Sequence, residues 1–135
     1  MSNSAEIRWK QRFENLLAAD EQLKDACARE SYSQLELAGL VQVFEFTIEL
    51  CWKTFKDKLF YEGYEVNSPR QAIRLAFEQG LIADAAVWLE ELESRNRLSH
   101  TYNKSIADEA EKVIKKVYFP MITDAIARLN EDYAK

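Results

Sequence analysis

The sequence predicts an all-α protein, an up-and-down four-helix bundle with one short extra helix. Three observations carry that expectation. Only 3 Gly and 2 Pro occur in 135 residues, too few for the regular turns of a β-sandwich or barrel. Apolar residues recur at steps of three and four along most of the chain. Box-like Ser or Asn starts precede several of these runs. The length suits a single domain, residues 1–135, with a core large enough to need no staples.

The first helix is expected to open at Asn3, with Glu6 in capping-box spacing, and to bury Ile7, Trp9, Phe13, Leu16, Leu17 and Leu23 before ending near Cys27. Ala28 to Tyr32 reads as a connection. Ser33 and Glu36 form a second box, opening a long helix to about Glu62 with Gly63 as its stop. Leu37, Val41, Phe44, Ile48, Cys51, Phe55 and Leu59 form one stripe on it. Val43, Phe46, Leu50 and Trp52 add a second set to the side. So wide an apolar perimeter predicts a helix that is either central or also faces a partner; the partner is the preferred reading, hence a homodimer through this helix. Gly39, in the middle of it, suggests close approach of another helix.

Ser68, Pro69 and Gln71 restart a short helix that Gly80 ends. Asp84 caps the next, which carries Val87, Trp88, Leu89 and Leu92. Ser105 with Asp108 is read as the start of the last helix, whose stripe takes Ile106, Ala110, Val113, Ile114, Val117, Met121, Ala125, Ile126 and Leu129. Pro120 should kink or split it.

Composition excludes several functions. A charge of −5 argues against long-range attraction to nucleic acid or an anionic membrane. No apolar run reaches membrane-span length, and the N-terminus lacks a signal-like stretch. Cys27 and Cys51 fall within helical patterns, as buried reduced thiols of a cytoplasmic protein would. A zinc site with several His is excluded because His100 is the sole histidine. Neither a metal nor a cofactor is expected. Trp9, Trp52 and Trp88 read as packing residues, and Lys112, Lys115 and Lys116 as a basic face of the last helix.

Only in Ser94 to Asn103 do polar residues crowd onto what should be a core-facing helix. At about 100° per residue along this expected helix, Arg95, Ser99 and Tyr102 share one face and Asn96 and His100 the next. Arg offers a permanent charged fork for phosphate or carboxylate. His exchanges protons near neutral pH. Without metal ligands, the pair suits attack of an RNA 2′-hydroxyl on its own phosphate, with His100 moving the proton and Arg95 stabilising the developing charge. Equally, Arg95 could simply pair with Glu91 or Glu93, and His100 could simply end a helix.

The octet Arg95-Asn96-Arg97-Leu98-Ser99-His100-Thr101-Tyr102 resembles the Arg-x4-His-x-Tyr motif of the HEPN superfamily. It is most similar to the branch of nucleotidyltransferase substrate-binding proteins related to the HepT toxins. Chain length, the aromatic second helix from Phe44 to Lys53 and the Ser-Pro-Arg start at Ser68 extend the likeness over most of the chain. The resemblance implies a homodimer with the two motifs facing a cleft that takes a nucleotide or RNA. It implies as partner a separately encoded minimal nucleotidyltransferase, which brings the glycine–serine loop and metal-binding carboxylates that are missing here. In toxin–antitoxin members Arg and His are ascribed to RNA cleavage, and the motif Tyr receives the partner's adenylyl groups. Those roles fall on Arg95, His100 and Tyr102, supported by Asn96 and Ser99. Three readings follow: a substrate-binding or partner subunit, a metal-independent ribonuclease toxin, or a dimer whose polar patch only maintains an interface. A ribonuclease needs an open, basic cleft, and His100 buried against Glu side chains would exclude it.

Overall fold

The computed structural model describes residues 3–135, and helices are the only regular elements among them. They are α1 (Ser4–Cys27), α2 (Gln34–Tyr61), a short α3 (Pro69–Glu78), α4 (Ala85–Leu98) and a C-terminal rod. The rod consists of α5 (Lys104–Val113), a π-helical segment (Ile114–Tyr118) and α6 (Phe119–Tyr133). The expected plan of four long helices and one short one is therefore observed. No described helix is long and apolar enough to cross a membrane.

The helices alternate in direction. Tyr133 at the end of α6 reaches Glu14 on α1 at 2.6 Å, and Arg12 on α1 reaches Asp57 near the end of α2 at 3.0 Å. At the opposite end Lys115 donates to the carbonyl of Arg29 after α1. α2 lies at the centre, packed on α1, α3, α5 and α6. Its stripe from Leu37 to Leu59 is buried as the periodicity predicts, within one continuous apolar cluster. Phe55 meets Trp88 of α4 edge-on at 5.3 Å, and Phe44 stacks on Tyr118 at the same distance. A buried lysine, Lys58, ties α2 to α6 through Asp132 at 3.0 Å and holds Glu62 at 2.6 Å.

Most helix starts behave as read. Ser33 and Glu36 close a full capping box, Ser68 accepts from the Gln71 amide, and Asp84 accepts from the Ala86 amide. Gly63 and Gly80 end α2 and α3 with φ of +97° and +78°, where a side chain would be strained. Two starts differ. Asn3 makes no side-chain cap, so the box expected with Glu6 is absent. The last helix opens at Asn103 rather than Ser105, because the Asn103 side-chain carbonyl takes the amides of both Ser105 and Ile106.

Two further expectations need correction. No other helix of this chain approaches Gly39, and a Cβ there would meet nothing within 4 Å. Along the rod, Val117 is exposed and Met121 only half-buried, whereas Tyr118 and Ile122 are buried. The π-helical segment explains the shift. Its wider turn keeps a strict step of four through Ala110, Ile114, Tyr118 and Ile122, all buried. Pro120, just beyond it, lacks an amide hydrogen and sits in the first turn of α6, directly after the widened turn whose Phe119 amide bonds back to the Ile114 carbonyl. The proline is thus absorbed by a widened turn, and the rod continues.

Candidate functional site

The polar octet does not stay helical. α4 ends at Leu98, whose side chain is buried, and residues 99–103 form a turn before α5. Unbroken, residues 85–133 would make a rod of about 73 Å, far beyond the roughly 42 Å of α2. The chain must fold back somewhere, and small polar residues around 99–103 allow it there. Ser99 Oγ turns onto the Asn96 carbonyl at 2.8 Å, and the amides of His100 and Asn103 bond the carbonyls of Arg97 and His100. The helical face shared by Arg95, Ser99 and Tyr102 therefore does not exist. Arg95 and Asn96 ride on the last turn of α4, while Ser99, His100 and Tyr102 lie at or beyond its end.

His100 is exposed and packs edge-on against Tyr102, with ring centroids 5.5 Å apart. Tyr102 is 77% exposed. No Glu covers His100, so the condition that would exclude a ribonuclease is not met. Asn96 is exposed beside them.

Arg95 is held differently. Its guanidinium donates to Glu91 one turn back, Nη2 to Oε1 at 3.3 Å and Nε to Oε2 at 3.5 Å. Glu91 is only 1% exposed, a carboxyl inside the bundle. Burial pushes its pKa up, opposed by the Arg95 charge, while Glu45 on α2 adds a smaller push upward. Burial raises Glu45 as well, again opposed by Arg95. The arginine thus sits over two acids and partly sustains their charge.

Below it, Ser94 Oγ bonds the Glu90 carbonyl and lies 3.3 Å from the buried Tyr118 hydroxyl. Tyr118 reaches that position from the π-helical segment, a geometry that often marks functional positions. Arg97 pairs with Glu109 and so braces α4 against α5 across the turn. Of the basic face, Lys115 is engaged with Arg29, Glu111 and the Tyr32 ring, leaving Lys112 and Lys116 beside Val113 and Val117 in a shallow groove. Among the described residues no three His, Cys, Asp or Glu side chains gather as a metal-ligand set.

Glu91 was visible in the sequence only as one of two pairing options for Arg95. Glu45 and Tyr118 carried no signal, because Glu45 lies on another helix and Tyr118 falls off the helical phase at the π segment.

A small helical bundle that presents Arg-x4-His-x-Tyr at a helix exit has the HEPN-like form. Comparison with known proteins identifies the family. The model of the family described as "Nucleotidyltransferase substrate binding protein like" matches residues 11–131, and the chain belongs to that family. A probable ribonuclease HepT of Haemophilus influenzae is 33% identical over 76 residues, which are 53% of this chain and 52% of that protein. The chain thus spans about half the length of that curated relative. A crystal structure of a protein from Thermus thermophilus is 29% identical and superposes with a TM-score of 0.73, covering 89% of this chain and 99% of the other.

Proposed function

We propose that this chain is the helical substrate-binding or partner subunit of a two-component nucleotidyltransferase system, and that Tyr102 accepts an adenylyl group from a separately encoded minimal nucleotidyltransferase. The observation that carries the reading is the 77% exposure of Tyr102. It stands on a short turn held from one side by the end of α4 and from the other by the Asn103 cap of α5. A phenol so placed can enter a second protein's active site with little rearrangement. In the transfer, the phenol oxygen attacks the α-phosphorus of ATP, pyrophosphate leaves, and the phenolic proton goes to a base. The exposed His100, whose ring packs edge-on against Tyr102, is the side chain proposed for that role. Membership of the family supports the nucleotidyltransferase partner.

The protein works as a homodimer in this proposal. Leu35 and Phe46 fall on one outer face of α2, with half-buried Val43 and Leu50 beside them, and a second copy would cover them. A nucleotide or RNA would then bind between the two motifs, in the cytoplasm.

The test is incubation of the chain with its transferase and α-labelled ATP. Wild type takes label and Tyr102→Phe does not; label remaining on the variant would refute the assignment. A second reading is a metal-independent ribonuclease using Arg95 and His100. It is favoured by the exposure of His100 and by likeness to a probable ribonuclease. His100→Ala should abolish RNA cleavage in the presence of chelator if that reading holds.

A further inference from the structure

Beside Tyr102 the surface sinks into a hollow of about 320 Å³, between the connection that precedes α2 and the start of α5. The geometry points to this hollow as the seat of a nucleoside monophosphate, the group that would be carried on Tyr102. The inference rests on the adenylylation reading above and names where the transferred group goes.

Four observations support it. First, Tyr102 itself forms part of the wall, so a phosphate on its phenol oxygen is tethered at the rim. Second, the volume falls at the lower end of small-ligand sites, suited to one base, one sugar and one phosphate. Third, the lining divides by chemistry. Leu37 and Ala107, both buried, and the Tyr32 ring make an apolar side fit for a base. Lys104 supplies a cation for the phosphate. Gln34 and Asp108 offer polar groups for sugar hydroxyls or the base edge.

Fourth, the apolar side is built before any ligand arrives. The Tyr32 hydroxyl donates to the Ala26 carbonyl at 2.6 Å, and the Lys115 ammonium lies 5.0 Å from the ring centroid. Lys115 is itself fixed by the Arg29 carbonyl at 2.8 Å. A ring restrained in this way loses little freedom when a base packs on it. By contrast, neighbouring charges are already spent on one another, Arg29 with Glu36 and Arg97 with Glu109. Lys104 and Asp108 have no such ion pair among the described residues. Lys104 and Asp108 are therefore the charged groups of the hollow left to a ligand.

The experiment is titration of the full chain with AMP, without transferase, followed by amide NMR. AMP should move the amides of residues 33–37 and 102–108 with a Kd reached by about 10 mM, the range of a weak contact. Lys104→Glu, an exposed change that also suits a helix N-terminus, should weaken binding about tenfold or more through loss of one charged contact. No movement of these amides overturns the seat, and so does inorganic phosphate reproducing the whole pattern, since the base would then contribute nothing. The two readings fail separately. Label on Tyr102 without AMP binding sinks the seat and leaves the modification. AMP binding with unlabelled Tyr102 sinks the modification and leaves a nucleotide site.

Discussion

Arg95→Ala should destabilise the protein before it affects any reaction. The variant leaves Glu91, 1% exposed, without its donor. Breaking a fully buried ion pair costs about 3–5 kcal/mol. The Arg95 side chain is 31% exposed, so water can enter and replace part of the lost contact. That reduces the expected loss to about 2 kcal/mol. At the usual entropy of unfolding for 135 residues this lowers Tm by about 7 °C near neutral pH. The pH dependence supplies the sign. Burial already holds the folded pKa of Glu91 above its ordinary 4.5. Removing Arg95 takes away the group that opposes this, so the folded pKa rises further. A native state that binds the proton more tightly than the unfolded chain gains stability as pH falls through that window. The deficit should therefore be largest near pH 7 and shrink toward about pH 5. Adding Glu91→Gln should restore most of the loss near neutral pH and flatten the pH dependence, because no charge is then stranded. Thermal unfolding followed by circular dichroism, with wild type and both variants at both pH values, reads each arm. An Arg95→Ala protein that melts with wild type near pH 7, or whose deficit is the same at both pH values, would refute the buried-pair argument.

Three more outcomes are expected. Gly39→Ala should stabilise the monomer by about 0.8 kcal/mol in chemical denaturation, since the added methyl meets open space on the helix. Gly63→Ala should cost about 1–2 kcal/mol at its φ of +97°. Were a second copy packed closely on Gly39, the same alanine would weaken self-association, which sedimentation run alongside would show. Burial pushes the Cys27 thiol up to about 11, and burial also raises Cys51. Cys51, fully buried, should react with a disulfide reagent near neutral pH only as fast as the protein unfolds, whereas Cys27, only half-buried rather than buried as the sequence suggested, should react sooner but slowly; a rapid reaction of Cys51 would contradict its placement.

The helices were legible because their signals are local. Ser33 with Glu36, Ser68 with Pro69, and Gly63 and Gly80 each act within a few residues, and each does what its spacing implies. The misreadings share a different cause, the competition of two local solutions that tertiary packing decides. Asn103 and Ser105 could each open the last helix, and the shorter reach of Asn103 to two amides wins. Val117 and Tyr118 could each face the core, and a π-helical turn selects the ring that stacks on Phe44. Within the site, residue types were readable and relations between helices were not. Arg95, His100 and Tyr102 stood out, but the approach of Glu45 from α2 and the hollow formed with Tyr32 arise only when the α1–α2 and α4–α5 connections meet at one end of the bundle.

That end of the bundle also weighs the two functional readings against each other. RNA binding draws on cations free to displace counterions from phosphates. Around the motif each arginine is already matched, Arg95 by Glu91 and Arg97 by Glu109, in a chain that is acidic as a whole. A single copy therefore offers a polynucleotide little field at the motif itself, and cleavage would require a second copy to build the cleft. Acceptance of an adenylyl group makes no such demand. It needs one reachable phenol on a held turn, a proton acceptor nearby and one cation for the phosphate, roles that in the proposal Tyr102, His100 and Lys104 would fill within a single chain. The charge pairing that weakens the motif as a nuclease does not touch the proposed role of Tyr102 as acceptor, and on that ground the proposed partner role is preferred.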